Sequence, residues 1–333
     1  MTHIRYDLAV IIVNWNTCEV TVEALRSLYA DLSTSGLEAL VMVVDNGSSD
    51  ASVDVIAAQF PQVRLIASSE NLGFVGANNL AMRGLGFGSE AQTEVPPEYT
   101  PESLTELLPR AVYLLNSDTI TQPGATRTLF DALFSAPDVG LVGAQLSYGD
   151  GSFQHGAFKF PGLRQLWVEF FPTPGRLMES GFNGRYPRAA YVHGQPFDVD
   201  FTLGATMMLR REVIQQTGMF DERFFMYCEE IDWAWRIKAA GWRVLSVPMA
   251  HVTHLGGQST SQARPQSTLH LWTSRLKLFR KVYPAWKRFL ARQMVILGMA
   301  RKIQQAEHET AWTPDERQRM IETYREIQRL ARL

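Results

Sequence analysis

Short apolar runs alternate with helix-like segments over the first half of the chain. The runs are four to six residues long, as is typical of buried strands in parallel sheets, and most are followed by apolar residues at helical spacing. The predicted strands are 8–13, 41–44, 63–67, 111–115 and 140–143, and the predicted helices are 20–29, about 50–60, a segment that follows a turn at 71–78 and ends near residue 84, and 124–135. This pattern predicts an α/β fold in which helices flank a mostly parallel sheet.

The pattern changes in the second half of the chain. The predicted elements there are a strand at 201–210, helices at 211–217 and 231–240, and a late strand at 244–247. Residues 84–110 are polar, acidic and proline-bearing, which predicts an insertion loop with a short helix at 101–108. Residues 147–197 are rich in aromatic side chains without a clean period. We interpret them as a semi-ordered segment over the acceptor side of a site, with a buried subdomain as the alternative.

From residue 265 onward the periodicity is helical. Pro284 separates a first helix from a second helix that carries Trp286, Leu290 and Leu297. Thr313 and Glu316 have the spacing of a capping box and predict the start of a last helix. The apolar stripe of the first helix is Leu269, Trp272, Leu276, Phe279 and Tyr283. We therefore predict a catalytic domain at 1–260 and a C-terminal helical region at 261–333.

Composition excludes several classes of protein. The chain has 333 residues, of which 46% are hydrophobic, so it can bury a large core. A formal net charge of -2 gives no sign of a nucleic-acid partner. Cys18 and Cys228 are too few and too far apart for a disulfide framework or a zinc site, which fits a cytoplasmic setting. The N-terminal apolar run is too short for a signal peptide, and no run approaches the roughly 18 apolar residues of a membrane span.

Two carboxylates follow predicted strands directly. Asp45 comes after the strand at 41–44, and Asp118 comes shortly after the strand at 111–115. Ligands of open α/β sheets bind beyond the carboxyl ends of the strands. Two acids at two such ends, without a glycine-rich phosphate loop, indicate a nucleotide and a divalent cation bound through side chains. The alternative is that both are ordinary turn residues.

A denser acidic cluster opens the helix predicted at 231–240. Glu229, Glu230 and Asp232 lie within four positions of an aromatic, apolar segment. The helix dipole favours acids at a helix N-terminus but does not explain three of them in an apolar run. Withdrawal from water makes a carboxylate a stronger proton acceptor, so this cluster is a candidate general base. His254 follows the late strand and is a candidate for contact with a phosphate or a metal, although a lone histidine is more often structural.

Taken in order, these segments resemble the family 2 glycosyltransferases of the GT-A fold, and in particular their rhamnosyltransferase-like branch. The matching segments lie between residue 8 and about residue 260 and read VIIVNWN, VVDNGSSD, ENLGFVGANN, LLNSDT, GATMMLRRE, GMFDERFFMYCEEIDWAWR, AGWRV and HLGGQS. Each segment alone is weak, whereas their order and spacing are specific. The resemblance implies a GT-A fold and a nucleoside-diphosphate sugar as donor.

The resemblance also implies a donor site. Asn14 and Asn16, together with Asp45, would line the pocket for the nucleobase and the ribose. Asn71 and Gly73 would flank the nucleotide or the sugar.

For the metal, the resemblance implies a motif with two acids separated by one residue. Asp118 matches the last acid of that motif, whereas Asn116 stands in place of the first and would contact the ribose through its amide. His254 matches a histidine that approaches the metal and the diphosphate. The implied cofactor is Mg²⁺ or Mn²⁺.

For the chemistry, the resemblance implies a single displacement that inverts the anomeric carbon. Glu230 falls where the family usually has the aspartate that acts as general base, so the pair here is Glu229-Glu230 rather than Glu-Asp. Asp232 is the next acid of that motif. Which of the three carboxylates is the base stays open at this point.

The branch implies dTDP-rhamnose as donor and a cell-wall or surface-polysaccharide precursor as acceptor, either a glycan or a polyprenyl-diphosphate-linked sugar. A UDP-sugar donor stays open. A sugar-phosphate nucleotidylyltransferase or a dinucleotide dehydrogenase would need a glycine-rich loop after the first strand, where this chain has Asn-Trp-Asn-Thr. A non-catalytic module that binds sugar nucleotides or glycans is the non-enzymatic alternative.

Charge patterning suggests one more partner. Residues 264–306 contain ten Lys and Arg and no Asp or Glu. Basic amphipathic helices with aromatic residues bind anionic lipid surfaces, which predicts a peripheral enzyme on the cytoplasmic face of the inner membrane. The alternative is that the apolar stripes pack on the catalytic domain or form a homodimer.

Overall fold

The computed structural model describes residues 6–88, 108–256 and 264–333. These residues form two compact units. The sheet unit contains 6–88, 108–158, 188–222 and 230–256, and the helical unit contains 159–187, 223–229 and 264–333. The predicted boundary between functional domains at residue 260 stays a prediction. The structure adds that two earlier stretches of chain belong to the same unit as the C-terminal helices.

The sheet unit is built on one large, mostly parallel sheet. In chain order its strands are β1 (Leu8–Asn14), β2 (Ala39–Asp45), β3 (Arg64–Ala67), β4 (Ala111–Asn116), β5 (Thr119–Thr121), β6 (Val139–Ser147), β7 (Phe153–Gln154), β8 (Ala157–Phe158), β9 (Phe197–Asp198), β10 (Phe201–Thr202), β11 (Thr206–Arg210) and β12 (Arg243–His254). The main path runs β3-β2-β1-β4-β11-β6-β12-β5, and β8 pairs with β10 in a second sheet. Antiparallel β11 joins the parallel group β3-β2-β1-β4 to the parallel pair β6 and β12. The predicted α/β class is confirmed.

Helices pack on this sheet and form the second unit. In chain order they are α1 (Cys18–Ser35), α2 (Ser52–Gln59), α3 (Gly73–Gly84), α4 (Ala125–Leu133), α5 (Leu163–Phe170), α6 (Gly175–Met178), α7 (Arg188–Val192), α8 (Arg211–Thr217), α9 (Glu229–Ala239), α10 (Arg264–Val282), α11 (Ala285–Glu307) and α12 (Pro314–Arg332). Alternate residues of β1 pack with Leu25 and Leu28 of α1 and Leu129 of α4 in the main core. This core explains the apolar runs of the sequence, because strands covered by helices exclude water.

Strand pairing extends past the predicted apolar runs. Asn14 and Asp45 are the last pair of the β1–β2 ladder, and Asn116 is the last residue of β4. Backbone pairing does not depend on side-chain polarity, so the polar residues that seemed to follow the strands are held by the ladder itself.

One strand prediction was wrong. The segment predicted as a single strand at 201–210 is interrupted at 203–205 and forms β10 and β11. β10 pairs with β8, a ladder that the bond from the Leu203 backbone to the Gly156 carbonyl extends, whereas β11 pairs with β4 and β6 in the main sheet. Gly143 of β6 lies directly beneath this crossing, where a Cβ would come within 2.6 Å of Thr202.

The helical unit has its own core. Trp272 and Phe279 of α10, and Tyr283 just after it, are buried and pack with Phe170 of α5, which is the alternative stated for this stripe. Close packing of α5 on α11 requires a glycine at position 298, since a Cβ there would lie 2.2 Å from the Phe170 ring. The predicted capping box is present at the start of α12.

The two irregular segments of the sequence have different outcomes. Residues 147–197 are ordered into β7, β8, β9 and short helices, and their middle part, 159–187, belongs to the helical unit. Most of the predicted insertion at 84–110, including its short helix at 101–108, falls outside the described residues. Among the helices of the described ranges, none combines the length and the apolar character that crossing a bilayer requires.

Candidate active site

A hydrogen-bonded network fixes Asp45 at the carboxyl ends of β1 and β2. Asn14 is completely buried, and its Nδ2 donates to Asp45 Oδ2 at 2.7 Å and to Ser48 Oγ at 3.2 Å. Asn14 Oδ1 accepts from the hydroxyls of Thr17 and Thr21 at 2.8 and 2.7 Å. Asp45 Oδ1 accepts from the Ser48 backbone at 3.0 Å. Asn14 therefore orients Asp45, and its predicted contact with a nucleotide stays a prediction.

Asn16 joins the loops that follow β1 and β2. Its backbone N donates to Ser48 Oγ at 2.9 Å, and its Oδ1 accepts from the Ser49 backbone at 2.8 Å. Asn16 has a left-handed φ of 52°, a conformation that asparagine tolerates better than most residues. Asn16 therefore connects the two loops, and its predicted place in a nucleotide pocket stays a prediction.

The same corner of the sheet unit contains Asp50 and Cys18. Burial acts to raise the pKa of the Asp50 carboxyl, but hydrogen bonds from Ser52 and from the Cys18 backbone outweigh it and hold that pKa below its usual range. Burial and the charge of Asp50 raise the pKa of the Cys18 thiol. A protonated thiol is a weak nucleophile, which argues against covalent catalysis by Cys18.

Asn46 holds the loop that carries Asn71 and Gly73. Its Nδ2 donates to Asn71 Oδ1 at 3.0 Å and to the Gly73 carbonyl at 3.1 Å. Gly73 has a φ of 74° and Gly47 a φ of 75°, and a Cβ at position 47 would lie 2.8 Å from the Glu70 carbonyl carbon. Glycine is required at both turns. Asn71 itself is exposed and therefore accessible to a ligand.

Asn116, Asp118 and His254 meet where β4 and β12 end. β5 follows Asp118 at once and pairs with β12, which brings His254 opposite Thr119. His254 Nε2 lies 3.4 Å from Asp118 Oδ1 and 3.4 Å from Asn116 Nδ2. Both Asp118 and His254 are 8% exposed. The structure thus brings together Asp118 and His254, which were predicted to hold the metal, and Asn116, which was predicted to contact the ribose.

Gln154 sets the orientation of His254. Its Oε1 lies 3.2 Å from His254 Nδ1, and because an amide oxygen only accepts, Nδ1 must donate. In the neutral ring this leaves a lone pair on Nε2, which accepts from the Asn116 amide and also faces the Asp118 carboxylate. Asp118 Oδ1 and His254 Nε2 are thus two lone-pair atoms of metal-ligand type that face each other at 3.4 Å.

The residues present fit a divalent cation that a substrate also binds. Asp118 supplies a carboxylate oxygen and His254 an imidazole nitrogen, both of which are common metal ligands. No group of three or more His, Cys, Asp or Glu able to hold a metal occurs among the residues described. Two protein ligands leave several coordination positions for the oxygens of a diphosphate, as is usual for Mg²⁺ in phosphate-transfer sites.

Glu230 packs near the same end of the sheet. Gly204 lies in the loop between β10 and β11, and a Cβ there would lie 3.8 Å from Glu230 Cβ, in ordinary contact. The adjacent Ala205 carbonyl accepts from the Asn116 backbone at 3.0 Å. The loop therefore connects the end of β4 to the Glu230 side chain, which is half-buried.

Asp232 has a structural role in this arrangement. It is 1% exposed, and its Oδ2 accepts from Arg236 Nε at 3.1 Å. Arg236 in turn donates to the carbonyls of Thr217 and Met219, which holds the loop before α9. Asp232 is thus occupied by its pair with Arg236, and the choice of Glu230 as general base stays a prediction.

The chain enters α9 through an unusual backbone conformation. Tyr227 and Cys228 both have a φ of 67°, in the left-handed region that residues with a Cβ avoid. Consecutive residues of this kind cost on the order of 1–3 kcal/mol each and are concentrated at functional sites. Glu229, the next residue, is 5% exposed. The strain therefore falls immediately before the acidic pair that the sequence singled out.

Sequence reasoning missed the residues that position the site. Asn46, Ser48 and Gln154 each hold a predicted site residue through a side-chain hydrogen bond. Asn79 bonds both the Phe220 backbone and Glu222, which fixes the loop that leads towards α9. No periodicity or spacing distinguishes these amides and hydroxyls, because their partners are far apart in sequence.

Comparison with known proteins places the chain among glycosyltransferases. A family profile described as "Glycosyltransferase like family 2" matches residues 5–283. An N-acetylglucosaminyl-diphospho-decaprenol L-rhamnosyltransferase of Mycobacterium tuberculosis is 29% identical over 227 residues, which cover 67% of this chain and 68% of that protein. A low-salt glycan biosynthesis hexosyltransferase of Haloferax volcanii is 26% identical over 267 residues, or 80% of this chain and 72% of that protein.

Solved structures agree on the fold. A mannosyltransferase of Pyrobaculum calidifontis in complex with GDP-Man and Mn²⁺ aligns with a TM-score of 0.53 at 16% identity, over 98% of this chain and 87% of that one. GalNAc-T7 with UDP, GalNAc and Mn²⁺ aligns with a TM-score of 0.56 at 13% identity, over 97% of this chain and 54% of that one. Both likenesses extend the GT-A fold to this chain.

Proposed function

The chain belongs to glycosyltransferase family 2, and we propose that it transfers rhamnose from dTDP-rhamnose, with inversion, to a hydroxyl of a cell-wall or surface-polysaccharide precursor. Enzymatic sugar transfer follows from the family itself. The donor, the acceptor, the metal dependence and the site residues are the parts that we propose.

The donor nucleotide would bind at the ends of β1 and β2. Asp45, held by Asn14 and Ser48, presents carboxylate oxygens that can accept from a base N–H or a ribose hydroxyl. Asn16 and Asn71 lie on the two neighbouring loops, and Gly73 begins α3, whose N-terminus favours an anion. Asn116 would add an amide contact from the end of β4.

Asp118 and His254 would hold Mg²⁺ or Mn²⁺ together with the diphosphate. When bound, the cation neutralises the charge that develops on the leaving nucleoside diphosphate. Asp118 supplies negative charge, Gln154 keeps the His254 lone pair directed towards Asp118, and Asn116 donates from the remaining side.

Glu230 would act as the general base. Its carboxylate takes the proton of the acceptor hydroxyl while that oxygen forms a bond to the anomeric carbon. The bond from the anomeric carbon to the diphosphate oxygen breaks on the opposite face, and its electrons leave with the diphosphate. A single displacement of this kind inverts the configuration and needs no enzyme nucleophile, in agreement with the protonated Cys18 thiol.

The acceptor is proposed from the relatives. The M. tuberculosis enzyme acts, by its name, on N-acetylglucosaminyl-diphospho-decaprenol. We propose a polyprenyl-diphosphate-linked sugar as acceptor for this chain as well. The alternatives are a UDP-sugar donor, for which the nucleotide contacts described above are equally suited, and a non-catalytic glycan-binding module.

The observation that carries this proposal is the meeting of Asn116, Asp118 and His254 at the strand ends. The test is sugar transfer to a polyprenyl-diphosphate-linked N-acetylglucosamine, with dTDP-rhamnose, UDP-sugars or GDP-sugars as donor and with Mg²⁺, Mn²⁺ or chelator. We expect product only with dTDP-rhamnose and a cation, with inverted configuration. Turnover with a UDP-sugar alone would mean that the donor is a UDP-sugar. Full activity in chelator would refute the role of the metal. Donor binding without turnover would favour a non-catalytic binding module.

A further inference from the structure

Helix α11 has two apolar faces, of which only one is packed. Its buried residues Ala291, Val295 and Met299 belong to the core of the helical unit. A second set of large apolar side chains lies on the opposite side and faces solvent: Trp286 is 64% exposed, Phe289 61%, Leu290 43% and Leu297 61%. We call these four residues the α11 outer face.

The spacing places the outer face on one side of the helix, where exposed Gln293 separates Leu290 from Leu297. At about 100° per residue, Trp286, Leu290 and Leu297 fall within roughly 40° of one line along the helix, and the buried set lies about 180° away. With a rise of about 1.5 Å per residue, the outer face runs for roughly 17 Å. A group of large exposed apolar side chains on one side of a helix is unusual and often marks an interaction site. The sequence assigned Trp286, Leu290 and Leu297 to a stripe but did not show that a different face of the helix packs.

The helical unit that carries this face is strongly positive. The described residues of the helical unit contain 20 Lys and Arg against 9 Asp and Glu, a formal net charge of +11. Residues 264–306 contribute ten of those bases and none of the acids, which gives α10 and α11 only basic charges apart from Glu307 at the end of α11. Lys287 and Arg301 lie on α11 itself, on one flank of the outer face.

The charge also argues against a second copy of the chain as the occupant. A twofold interface brings the same patch of each subunit against itself. Pairing two outer faces would place two strongly basic surfaces together, and like charges across an interface are repulsive. An anionic partner would instead be attracted to this basic surface. A bilayer with anionic headgroups offers both negative charge and apolar depth over the length of a helix.

We propose that the α11 outer face is a docking surface for an anionic lipid bilayer, with α11 lying in the plane of the interface. Trp286 and Phe289 would enter the boundary between headgroups and acyl chains, where aromatic rings are favoured, and the basic side chains of α10 and α11 would contact the headgroups. This inference does not depend on the identity of the donor or acceptor. It would bring a catalytic chain to the surface where a polyprenyl-linked acceptor lies.

The experiment is flotation of the full chain with vesicles of phosphatidylcholine alone or with about 30% phosphatidylglycerol, at low and high salt. Because electrostatic attraction to anionic lipid is screened by salt, we expect binding only to the anionic vesicles and a decrease at high salt. A variant with Trp286, Phe289, Leu290 and Leu297 changed to Ser should lower the partition coefficient by about tenfold or more. A variant with Arg280, Lys281, Lys287 and Arg288 changed to Gln should lose most of the salt-sensitive binding.

Matched controls separate vesicle binding through the α11 outer face from non-specific vesicle binding. Val192 and Met249 are exposed apolar residues of the sheet unit, at 83% and 62%, and changing both to Ser should leave binding unchanged. Arg319→Gln with Arg325→Gln removes exposed bases of α12 and should have a much smaller effect than the four-base variant.

Each outcome decides the proposal. Circular dichroism and the Tm should show that all variants stay folded, since the changed apolar side chains are exposed. Absence of binding to anionic vesicles at low salt would overturn the proposal. A dimer seen by light scattering that the outer-face variant dissociates would assign the surface to a second copy. Turnover with a water-soluble acceptor reports separately on the proposed function and should be unchanged in the outer-face variant.

Discussion

The two units of this chain have opposite charge. The described residues of the sheet unit contain 11 Lys and Arg against 20 Asp and Glu, a net of -9, whereas the helical unit has a net of +11. The whole-chain value of -2 conceals this difference. In the sheet unit, the Asn14 amide and the Ser48 backbone bind Asp45, and the His254 ring lies beside Asp118. In the helical unit, most buried side chains are apolar, with Glu229 and Ser274 as exceptions, and the bases are largely at the surface.

The difference in charge between the two units agrees with the two proposed partners, a nucleoside diphosphate and an anionic lipid surface. A nucleoside diphosphate is an anion, and an acidic site such as the one around Asp118 needs a divalent cation to accept it. A lipid surface with anionic headgroups needs no such mediator at the helical unit. Chelator should therefore affect the sheet unit's chemistry, and salt should affect the helical unit's proposed docking.

Asp118→Asn gives the largest expected effect on the sheet-unit side of the comparison. The change keeps the shape of the side chain but removes the charge that faces His254 at 3.4 Å. Loss of the cation removes several kcal/mol of transition-state stabilisation, so turnover should fall by about 10³-fold or more. The measurement is kcat together with Mn²⁺ binding by electron paramagnetic resonance.

Asp150→Asn is the matched control for this change. Asp150 is an exposed turn carboxylate of the same unit, so its removal alters the net charge equally without touching the strand ends. If both variants lost activity to the same degree, the loss would come from the changed net charge of the sheet unit and not from removal of a specific metal ligand. Unchanged Mn²⁺ binding in Asp118→Asn would remove Asp118 from the metal site.

Glu230→Gln should lower kcat by about 10²-fold or more while donor binding changes little, because the amide cannot accept the acceptor's proton.

Asp232→Asn tests a different role. That carboxylate is paired with Arg236, so its change should lower the Tm more than it alters the chemistry of the remaining folded enzyme. An active Glu230→Gln variant beside an inactive Glu229→Gln variant would transfer the base to Glu229.

Gln154→Leu should weaken Mn²⁺ binding by about 10–100-fold, because the group that orients a metal-ligating histidine contributes that much to affinity. Gln154→Glu keeps an oxygen that can accept from His254 Nδ1 and should restore most of the binding. If both variants lost Mn²⁺ binding equally in the same electron paramagnetic resonance titration, Gln154 would only pack beside the His254 ring.

The strands and most helices were predictable because burial imposes a period on the sequence. The apolar run of β1 predicted a buried surface directly, whereas the stripe of α10 left membrane contact and packing open. The acids at the strand ends were predictable for the same reason, because the end of an apolar run marks the approximate end of its strand. Gln154 and Asn46 were not, because each acts through a hydrogen bond to a partner distant in sequence. Trp286 shows a further limit: periodicity identified an apolar face but not which face of α11 packs.

The smallest predicted effect concerns the helical unit, where the capping box at α12 allows a test that leaves the sheet unit untouched. Thr313 Oγ1 accepts from the Glu316 backbone at 3.3 Å, and Glu316 Oε2 accepts from the Thr313 backbone at 2.8 Å. Thr313→Ala should cost about 1 kcal/mol of stability, seen as a decrease of a few degrees in Tm, with kcat unchanged in the folded enzyme.

The pH dependence of this cap has a defined sign. Hydrogen bonds from the Thr313 backbone and side chain hold the pKa of Glu316 below its usual range. A carboxyl with a lowered folded-state pKa stabilises the fold above its unfolded-state pKa and loses that contribution as the pH falls through the folded value. The difference in Tm between wild type and Glu316→Gln should therefore be present at neutral pH and shrink in acid. Glu322→Gln, an exposed change further along α12, is the control, and an equal, pH-independent shift in both variants would show that the cap contributes nothing specific.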